Sequence, residues 1–158
     1  MAGNEGSPVM TALLWSLLGI FSGTLIALQA PINAALGRAL GQSVAAAAVS
    51  FVAGSVVLVA LSWALAQAQG TSIALRAPPF WMLVGGGLLG AAYVTFVIIL
   101  TPKLGTAATM AFIIAGQLLA ALVLDQIGAF DLVVREITLG RVAGAVMLLA
   151  GALLIRFT

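Results

Sequence analysis

Residues 39–75, ALGQSVAAAAVSFVAGSVVLVALSWALAQAQGTSIAL, contain no charged side chain in 37 consecutive positions. Three further charge-free stretches follow the same pattern, with 32 positions between Glu5 and Arg38, 26 between Arg76 and Lys103, and 21 between Lys103 and Asp125. A helix needs about 20 mostly apolar residues to cross about 30 Å of hydrocarbon. The spacing of the charges therefore predicts a protein that crosses a lipid bilayer several times.

The composition supports a membrane protein with a single domain over residues 1–158. Of the 158 residues, 63% are hydrophobic and only 6% are charged, whereas soluble domains carry about 25% charged residues. The six basic residues are scattered, which argues against a nucleic-acid partner. The chain has no Cys and no His, so disulfides, thiol chemistry and the commonest metal ligands are excluded. We expect no metal and no cofactor.

The apolar segments predict an all-α fold of five transmembrane helices, at about residues 9–36, 43–66, 80–100, 106–124 and 137–157. We expect helix 1 to be kinked, broken or locally unwound at Pro31, because proline lacks an N–H group and its ring clashes with the carbonyl of Ala27. The segment Thr101–Gly105 predicts a tight hairpin between helices 3 and 4. Helix 5 contains Arg141 and Arg156, whose side chains must extend toward the lipid head groups.

Five helices place the two ends of the chain on opposite sides of the membrane. Each side then carries three basic residues, with Arg76, Arg135 and Arg141 on one and Arg38, Lys103 and Arg156 on the other. Orientation follows an excess of Lys and Arg on the cytoplasmic side, and no excess is present. Either small errors in the helix boundaries hide a bias, or the chain inserts in both orientations. We favour the second interpretation, in which two copies form an antiparallel homodimer of ten helices, equivalent to the inverted repeats of many transporters.

Three pairs of glycines have the spacing of helix contact motifs, namely Gly19/Gly23, Gly86/Gly90 and Gly140/Gly144. Such pairs allow helix backbones to approach closely in lipid, where no hydrophobic force drives helices together. We therefore expect these glycines to pack against neighbouring helices.

Polar side chains follow one stripe of helix 1, comprising Thr11, Trp15, Ser22, Gln29 and Asn33. Pro31 lies between the two carboxamides and frees the carbonyl of Ala27, so this region suits the binding of a polar group of a substrate. Equally, Gln29 and Asn33 could satisfy the interrupted backbone and bond to neighbouring helices. The sequence leaves both interpretations open.

Three other residues are candidate contacts for a substrate. Gln117 is the one strongly polar side chain deep in helix 4, and we slightly favour a substrate contact over a bond between helices. Tyr93 follows Gly86 and Gly90 on one face of helix 3, and either lines a cavity with Trp15 or packs as an apolar anchor. Ser50 belongs to a stripe of small residues on helix 2.

Asp125 ends helix 4 and is the only acidic residue near membrane depth. We expect a solvated carboxylate that pairs with Arg141 or Arg135, because the C-terminal end of a helix disfavours an unpaired anion. The alternative is a site that couples transport to protons.

Several segments resemble one known family, namely Gln29–Arg38 with Ala45–Phe51, Thr101–Thr106 with Ala115–Leu118, and the final helix Gly144–Ile155. Together they resemble the small five-helix, YdcZ-like branch of the drug/metabolite transporter superfamily, which consists of bacterial inner-membrane proteins. The resemblance implies a multi-pass inner-membrane protein and a transporter of ten helices made from two five-helix units. The small multidrug exporters of that superfamily carry a Glu in their first helix. Helix 1 of this chain has no acidic residue, which argues against proton-coupled export of cationic drugs.

The residues and the resemblance favour a homodimer in membrane lipid that transports a small metabolite or drug-like molecule by alternating access. An enzyme is not expected, because the chain can assemble neither a Ser–His nor a paired-Asp intramembrane protease. The alternative is a non-transporting membrane subunit or a small channel-like protein. A hydrated cavity lined by the polar residues would favour transport, and a dry, tightly packed bundle would favour a subunit.

Overall fold

The computed structural model describes residues 8–157. Five α-helices form this part of the chain: α1 Pro8–Leu40, α2 Ser43–Gln69, α3 Phe80–Leu104, α4 Thr106–Ile127 and α5 Leu139–Phe157. A single 3-10 turn, Ala129–Asp131, lies between α4 and α5. All five helices are long and apolar enough to cross a membrane, which confirms the predicted all-α class and the predicted number of transmembrane helices.

The large apolar side chains of the described helices point outward, as the exposure of Phe21, Val57, Leu89 and Leu154 illustrates. The interior is instead built from small residues, since eight of the thirteen buried hydrophobic residues are alanines. In lipid, helices gain little by hiding apolar surface from their solvent and associate through close contact of small side chains. Small residues in the interior and large apolar residues on the outside are therefore the distribution expected of a helix bundle in a lipid bilayer.

Helix α3 contacts α1, α2 and α4. Two clusters hold it in place. The first joins α2 to α3 through Ala46, Ala47, Val94 and Ile98, and the second joins α1, α3 and α4 through Ala30, Val97 and Met110. Tyr93 packs against both clusters. Helix α5 lies at the periphery, where it packs mainly on α4.

The alternating direction of the helices divides the charged residues between two ends of the bundle. The C-terminal ends of α1, α3 and α5 and the N-terminal ends of α2 and α4 form what we call the Arg38 end. It carries Arg38, Lys103 and Arg156. The opposite end, called the Asp125 end, carries Arg76, Arg135, Arg141, Asp125 and Glu136. Basic residues are thus divided three to three in the structure.

Helix α1 is continuous from Pro8 to Leu40, so it neither breaks nor unwinds at Pro31, and it extends four residues past the predicted end at about residue 36. A kink at Pro31 stays a prediction. Pro31 is exposed on the outer face of the helix, whereas Ala30, Asn33 and Ala34 on either side of it are buried. Packing of these three residues against the bundle holds the helical path through the proline. Transmembrane helices tolerate proline when neighbouring groups compensate for the missing hydrogen bond.

The predicted tight hairpin between helices 3 and 4 is present but shorter than Thr101–Gly105, because α3 continues through Pro102 to Leu104. The hydroxyl of buried Thr101 donates to the carbonyl oxygen of Val97 at 2.7 Å, and only the last helical turn follows the proline. Gly105 alone makes the turn, with φ of 82°. That backbone conformation is accessible to glycine at little cost, and the carbonyl of Gly105 accepts the first hydrogen bond of α4, from Thr109 N at 3.1 Å.

Of the six glycines in the three predicted contact motifs, only Gly90 meets another helix among the described residues. A Cβ atom at Gly90 would lie 3.1 Å from the Phe51 ring of α2, whereas Gly19, Gly23, Gly86 and Gly144 have no such neighbour within 4 Å. For these four the prediction of close packing is wrong within one chain. Among the described glycines, the tightest approach between two helices lies instead at Gly37, whose Cβ would come within 2.9 Å of Ile98 Cγ2.

Candidate functional site

Tyr93 lies where two clefts meet near the middle of the bundle. The first, called the amide cleft, is lined by Gln29 and Asn33 of α1 together with Tyr93, and its volume is about 10 Å³. The second, called the Gln117 cleft, is lined by Gly23, Tyr93 and Gln117 and has a volume of about 160 Å³. Ile26 of α1 lines both. The Gln117 cleft is similar in size to a cavity of about 150 Å³ that can hold benzene, while the amide cleft has room for about one water molecule.

The hydroxyl group of Tyr93 is buried and has no hydrogen-bond partner among the described residues. Its aromatic ring packs against the apolar clusters on both sides of α3, so the ring is fixed while the hydroxyl is left unsatisfied. An unpaired buried hydroxyl costs about 1–3 kcal/mol. A hydrogen-bonding group that enters from outside this chain would remove that cost.

The two carboxamides of α1 lie one helical turn apart and share the face that borders the amide cleft. Asn33 is only 5% exposed and sits against α3, whereas Gln29 is exposed at the edge of the same cleft. The structure thus brings Gln29, Asn33 and Tyr93 together, as a substrate site requires. It does so without the local unwinding that the sequence predicted.

Gln117 projects from the middle of α4 into the second cleft, and its side chain is exposed in the single chain. Hydrocarbon offers no hydrogen bonds to an amide at this depth. Gln29 and Gln117 therefore present two polar groups, on different helices, that the single chain leaves uncovered.

Two of the candidate residues lie away from both clefts. Trp15 is 68% exposed near the beginning of α1, and Ser50 is half-buried on α2. Neither lines the amide cleft or the Gln117 cleft. The structure does not bring them to the group around Tyr93.

The apolar walls of the clefts could not be assigned a binding role from the sequence. Met110, Ile113 and Ile114 of α4 line the Gln117 cleft, and their type is too common in membrane helices to stand out. Gly23 was expected to pack against a neighbouring helix. It opens space for the cleft instead of contacting a neighbouring helix.

Neither cleft is lined by Asp, Glu, Lys or Arg. The polar groups available are one phenol and three carboxamides, each of which both donates and accepts hydrogen bonds. Such a site has no fixed charge to neutralise an ion, and an isolated ion is strongly disfavoured in a medium of low dielectric constant. The arrangement is suited to groups without net charge.

Asp125 lies at the end of α4, outside both clefts, and forms a salt bridge with Arg141. This confirms Arg141 as the expected partner. The guanidinium also donates to the carbonyl oxygens of Arg135 at 3.2 Å and Glu136 at 3.4 Å, while Arg135 N donates to the Asp125 carbonyl at 3.0 Å. These bonds fasten the linker between α4 and α5 to the end of α4. Asp125 thus has a structural role, and its coupling to protons stays an untested prediction.

Comparison with known proteins identifies one family. Residues 14–154 match the family model described as "Putative inner membrane exporter, YdcZ". No curated protein and no solved structure shows significant similarity to the chain. Because the match covers nearly all of the five helices, the chain belongs to this family. It is a multi-pass inner-membrane protein, and its family and helices support a membrane transporter over an enzyme.

Proposed function

We propose that this member of the YdcZ family exports a small, largely apolar molecule that carries a neutral or zwitterionic hydrogen-bonding group, and that Tyr93 binds that group. The observation that carries the proposal is the buried Tyr93 hydroxyl, which has no partner among the described residues and borders two clefts. The direction of transport follows the description of the family as exporters.

The chemistry of the lining residues defines the class of substrate. A phenol and carboxamides match a carbonyl, hydroxyl or amide group on the substrate. The apolar remainder of the molecule fits the Gln117 cleft, whose walls include Ile26, Met110 and Ile114. A cationic drug is disfavoured, because no carboxylate lines either cleft and ion burial without a partner is costly.

The functional unit in this proposal is an antiparallel homodimer. Two observations support it. Basic residues are divided three to three between the Arg38 end and the Asp125 end, which gives no preferred orientation. In addition, Gln29 and Gln117 are exposed at depth in the single chain, and a second protomer would cover these amides where lipid cannot.

Alternating access follows from the same geometry. Two inverted copies place related clefts on either side of a midplane site, so that rocking one protomer against the other opens each side in turn. Gly19, Gly23, Gly86 and Gly144 have no neighbouring helix within reach of an added Cβ, which leaves small, smooth patches that a moving partner can slide across.

The test is a thermal-shift screen of the purified protein in detergent against sets of neutral, cationic and anionic compounds of matched size. We expect stabilisation by neutral compounds that combine an apolar body with one amide, hydroxyl or carbonyl group. Transport of the best binders is then measured in proteoliposomes. Stabilisation confined to cationic compounds would contradict the proposal.

Gln117→Leu identifies the binding site. Leucine has a similar volume and is at home in lipid, so we expect the variant to remain a folded dimer while binding of the selected compounds is lost. Gln69→Leu at the end of α2, which lines neither cleft, is the matched control and should bind normally. If Gln117→Leu unfolds the protein but transport per folded dimer is unchanged, Gln117 bonds helices together instead of contacting the substrate.

A non-transporting membrane subunit is the alternative. The small volume of the amide cleft, about 10 Å³, favours it, since a space for about one water molecule cannot pass a substrate. A screen in which no compound class stabilises the protein would support this alternative over transport.

A further inference from the structure

A third cleft, separate from the group around Tyr93, lies at the Arg38 end of the bundle. Its volume is about 340 Å³. The C-terminal ends of α1 and α3 and the N-terminal end of α2 form its walls, and its polar lining consists of Arg38, Lys103, Gln42 and Ser43. It shares no lining residue with the amide cleft or the Gln117 cleft.

Two cations line this cleft, and no acidic side chain of the described residues lines it with them. The one salt bridge among the described residues, Arg141–Asp125, lies at the opposite end. Two like charges that share a cleft repel each other, and the repulsion grows as the effective dielectric constant falls beside hydrocarbon. A bound anion would relieve that repulsion.

The placement of the two cations is enforced by backbone packing. Gly37 precedes Arg38 and approaches α3 so closely that an added Cβ would lie 2.9 Å from Ile98 Cγ2. Five residues beyond Ile98, the last turn of α3 carries Lys103. The close contact of the two helices therefore brings Arg38 and Lys103 to one cleft, in contrast to Arg156, which lies at the same end but does not line it.

The beginning of α2 adds hydrogen-bond donors to the same place. Gln42 precedes the helix in an extended conformation and makes no capping hydrogen bond with its side chain. The first N–H groups of a helix have no partner within the helix, and the helix dipole makes this end attractive to anions. Arginine adds a planar pair of donors that matches phosphate oxygens.

We propose that the cleft formed by Arg38, Lys103 and the uncapped first turn of α2 binds a phosphate group. The phosphate belongs either to a phospholipid head group or to a soluble phosphorylated molecule. Both sources present the same tetrahedral anion. The cleft lies at the Arg38 end of the bundle, which both a lipid head group and a soluble molecule can reach. This site is independent of the proposed substrate site at Tyr93.

The soluble source is tested by titrating the full-length protein, in micelles of an uncharged detergent, with inorganic phosphate and with glycerol 3-phosphate, followed by calorimetry. We expect saturable binding that falls about tenfold or more in Arg38→Gln and in Lys103→Gln, because each removes a charge-assisted hydrogen bond. Arg38→Lys, which keeps the charge but loses the planar donor pair, should show an intermediate loss. Arg156→Gln is the matched control and should bind as the unchanged protein does.

The lipid source is tested in nanodiscs of phosphatidylcholine with a small fraction of phosphatidic acid, by native mass spectrometry of retained lipid. Retention of phosphatidic acid that is lost in Arg38→Gln and Lys103→Gln but kept in Arg156→Gln supports a head-group site. Equal losses in all three variants would show general attraction of cations to the membrane and would overturn the proposal. Absence of saturable binding by every probe would also overturn it. Size-exclusion profiles of the variants confirm that each remains folded.

Discussion

Tyr93→Phe separates the role of the buried hydroxyl from the role of the ring. The ring packs against both apolar clusters of α3, and phenylalanine preserves that packing. The hydroxyl has no partner among the described residues, and an unsatisfied buried hydroxyl costs about 1–3 kcal/mol. We therefore expect the variant without ligand to be as stable as the unchanged protein, or more stable by up to that amount.

Binding should change in the opposite direction. A hydrogen bond between neutral groups contributes about 0.5–1.5 kcal/mol, and about 1.4 kcal/mol corresponds to a factor of ten in affinity. Loss of one such bond to the substrate predicts binding that is about 2- to 12-fold weaker. A variant that is at least as stable but binds less well is the expected signature of a functional hydroxyl.

The assay combines unfolding by SDS, to measure stability without ligand, with calorimetry of the compounds selected by the thermal-shift screen. Tyr93→Leu is the control for the ring. It leaves a cavity beside both clusters and should lower stability, unlike Tyr93→Phe. If Tyr93→Phe destabilises the protein by about 1 kcal/mol, the size of one neutral hydrogen bond, while binding is unchanged, the reasoning is refuted. The hydroxyl would then have a structural partner in the assembled protein, such as a group of a second protomer.

Three further predictions test the assembly, the packing and the role of the acidic residue. Reporter proteins fused to the C-terminus should give signal on both sides of the membrane, and two added lysines there should bias the orientation; one clean orientation in the unmodified chain would refute dual topology. Gly37→Ala should lower stability in SDS unfolding by about 1–3 kcal/mol through overpacking against Ile98, whereas Gly19→Ala, which has space around it, should not; equal effects would contradict the packing argument. Asp125→Asn should cost about 1 kcal/mol in the same assay, because the amide still accepts a hydrogen bond from Arg141, and any pH dependence of transport in proteoliposomes should persist. Loss of that pH dependence in a folded variant would show proton coupling.

The number and approximate position of the helices could be predicted from the sequence, because apolar runs of about 20 residues are long enough to cross a bilayer as helices and a helix satisfies its own backbone hydrogen bonds there. The places where the predicted helices differ from the structure contain prolines. Both Pro31 and Pro102 lie inside helices, since the surrounding contacts outweigh the local preference. Those contacts, such as the burial of Ala30 and Asn33 around Pro31, depend on neighbouring helices and cannot be inferred from a segment in isolation.

The candidate site could be predicted only in part, because its assembly also depends on contacts between helices. Helical periodicity placed Trp15 and Gln29 on one stripe, but 14 residues at about 1.5 Å each separate them by about 21 Å along the axis. Trp15 and Gln29 therefore share a face of α1 but do not line the same cleft. Periodicity gives the direction of a side chain around the helix axis, whereas the packing of the helices decides which part of that face borders α3 and α4. Tyr93 and Gln117 meet because α3 and α4 run antiparallel from the turn at Gly105.

The proposed homodimer and the proposed substrate site answer the same physical problem. In one chain, Gln29 lies at the edge of the amide cleft and Gln117 lies in the other cleft, and both are exposed to a medium without hydrogen bonds. In the proposed homodimer, an antiparallel partner would bring its own pair of amides to the same depth, so that the two protomers would shelter each other's polar groups around a common space. A substrate with one hydrogen-bonding group would then supply the hydrogen bond that the Tyr93 hydroxyl lacks among the described residues. If the proposal holds, a variant that prevents dimerisation should also prevent binding, because the surface that the partner would cover is the wall of the proposed site.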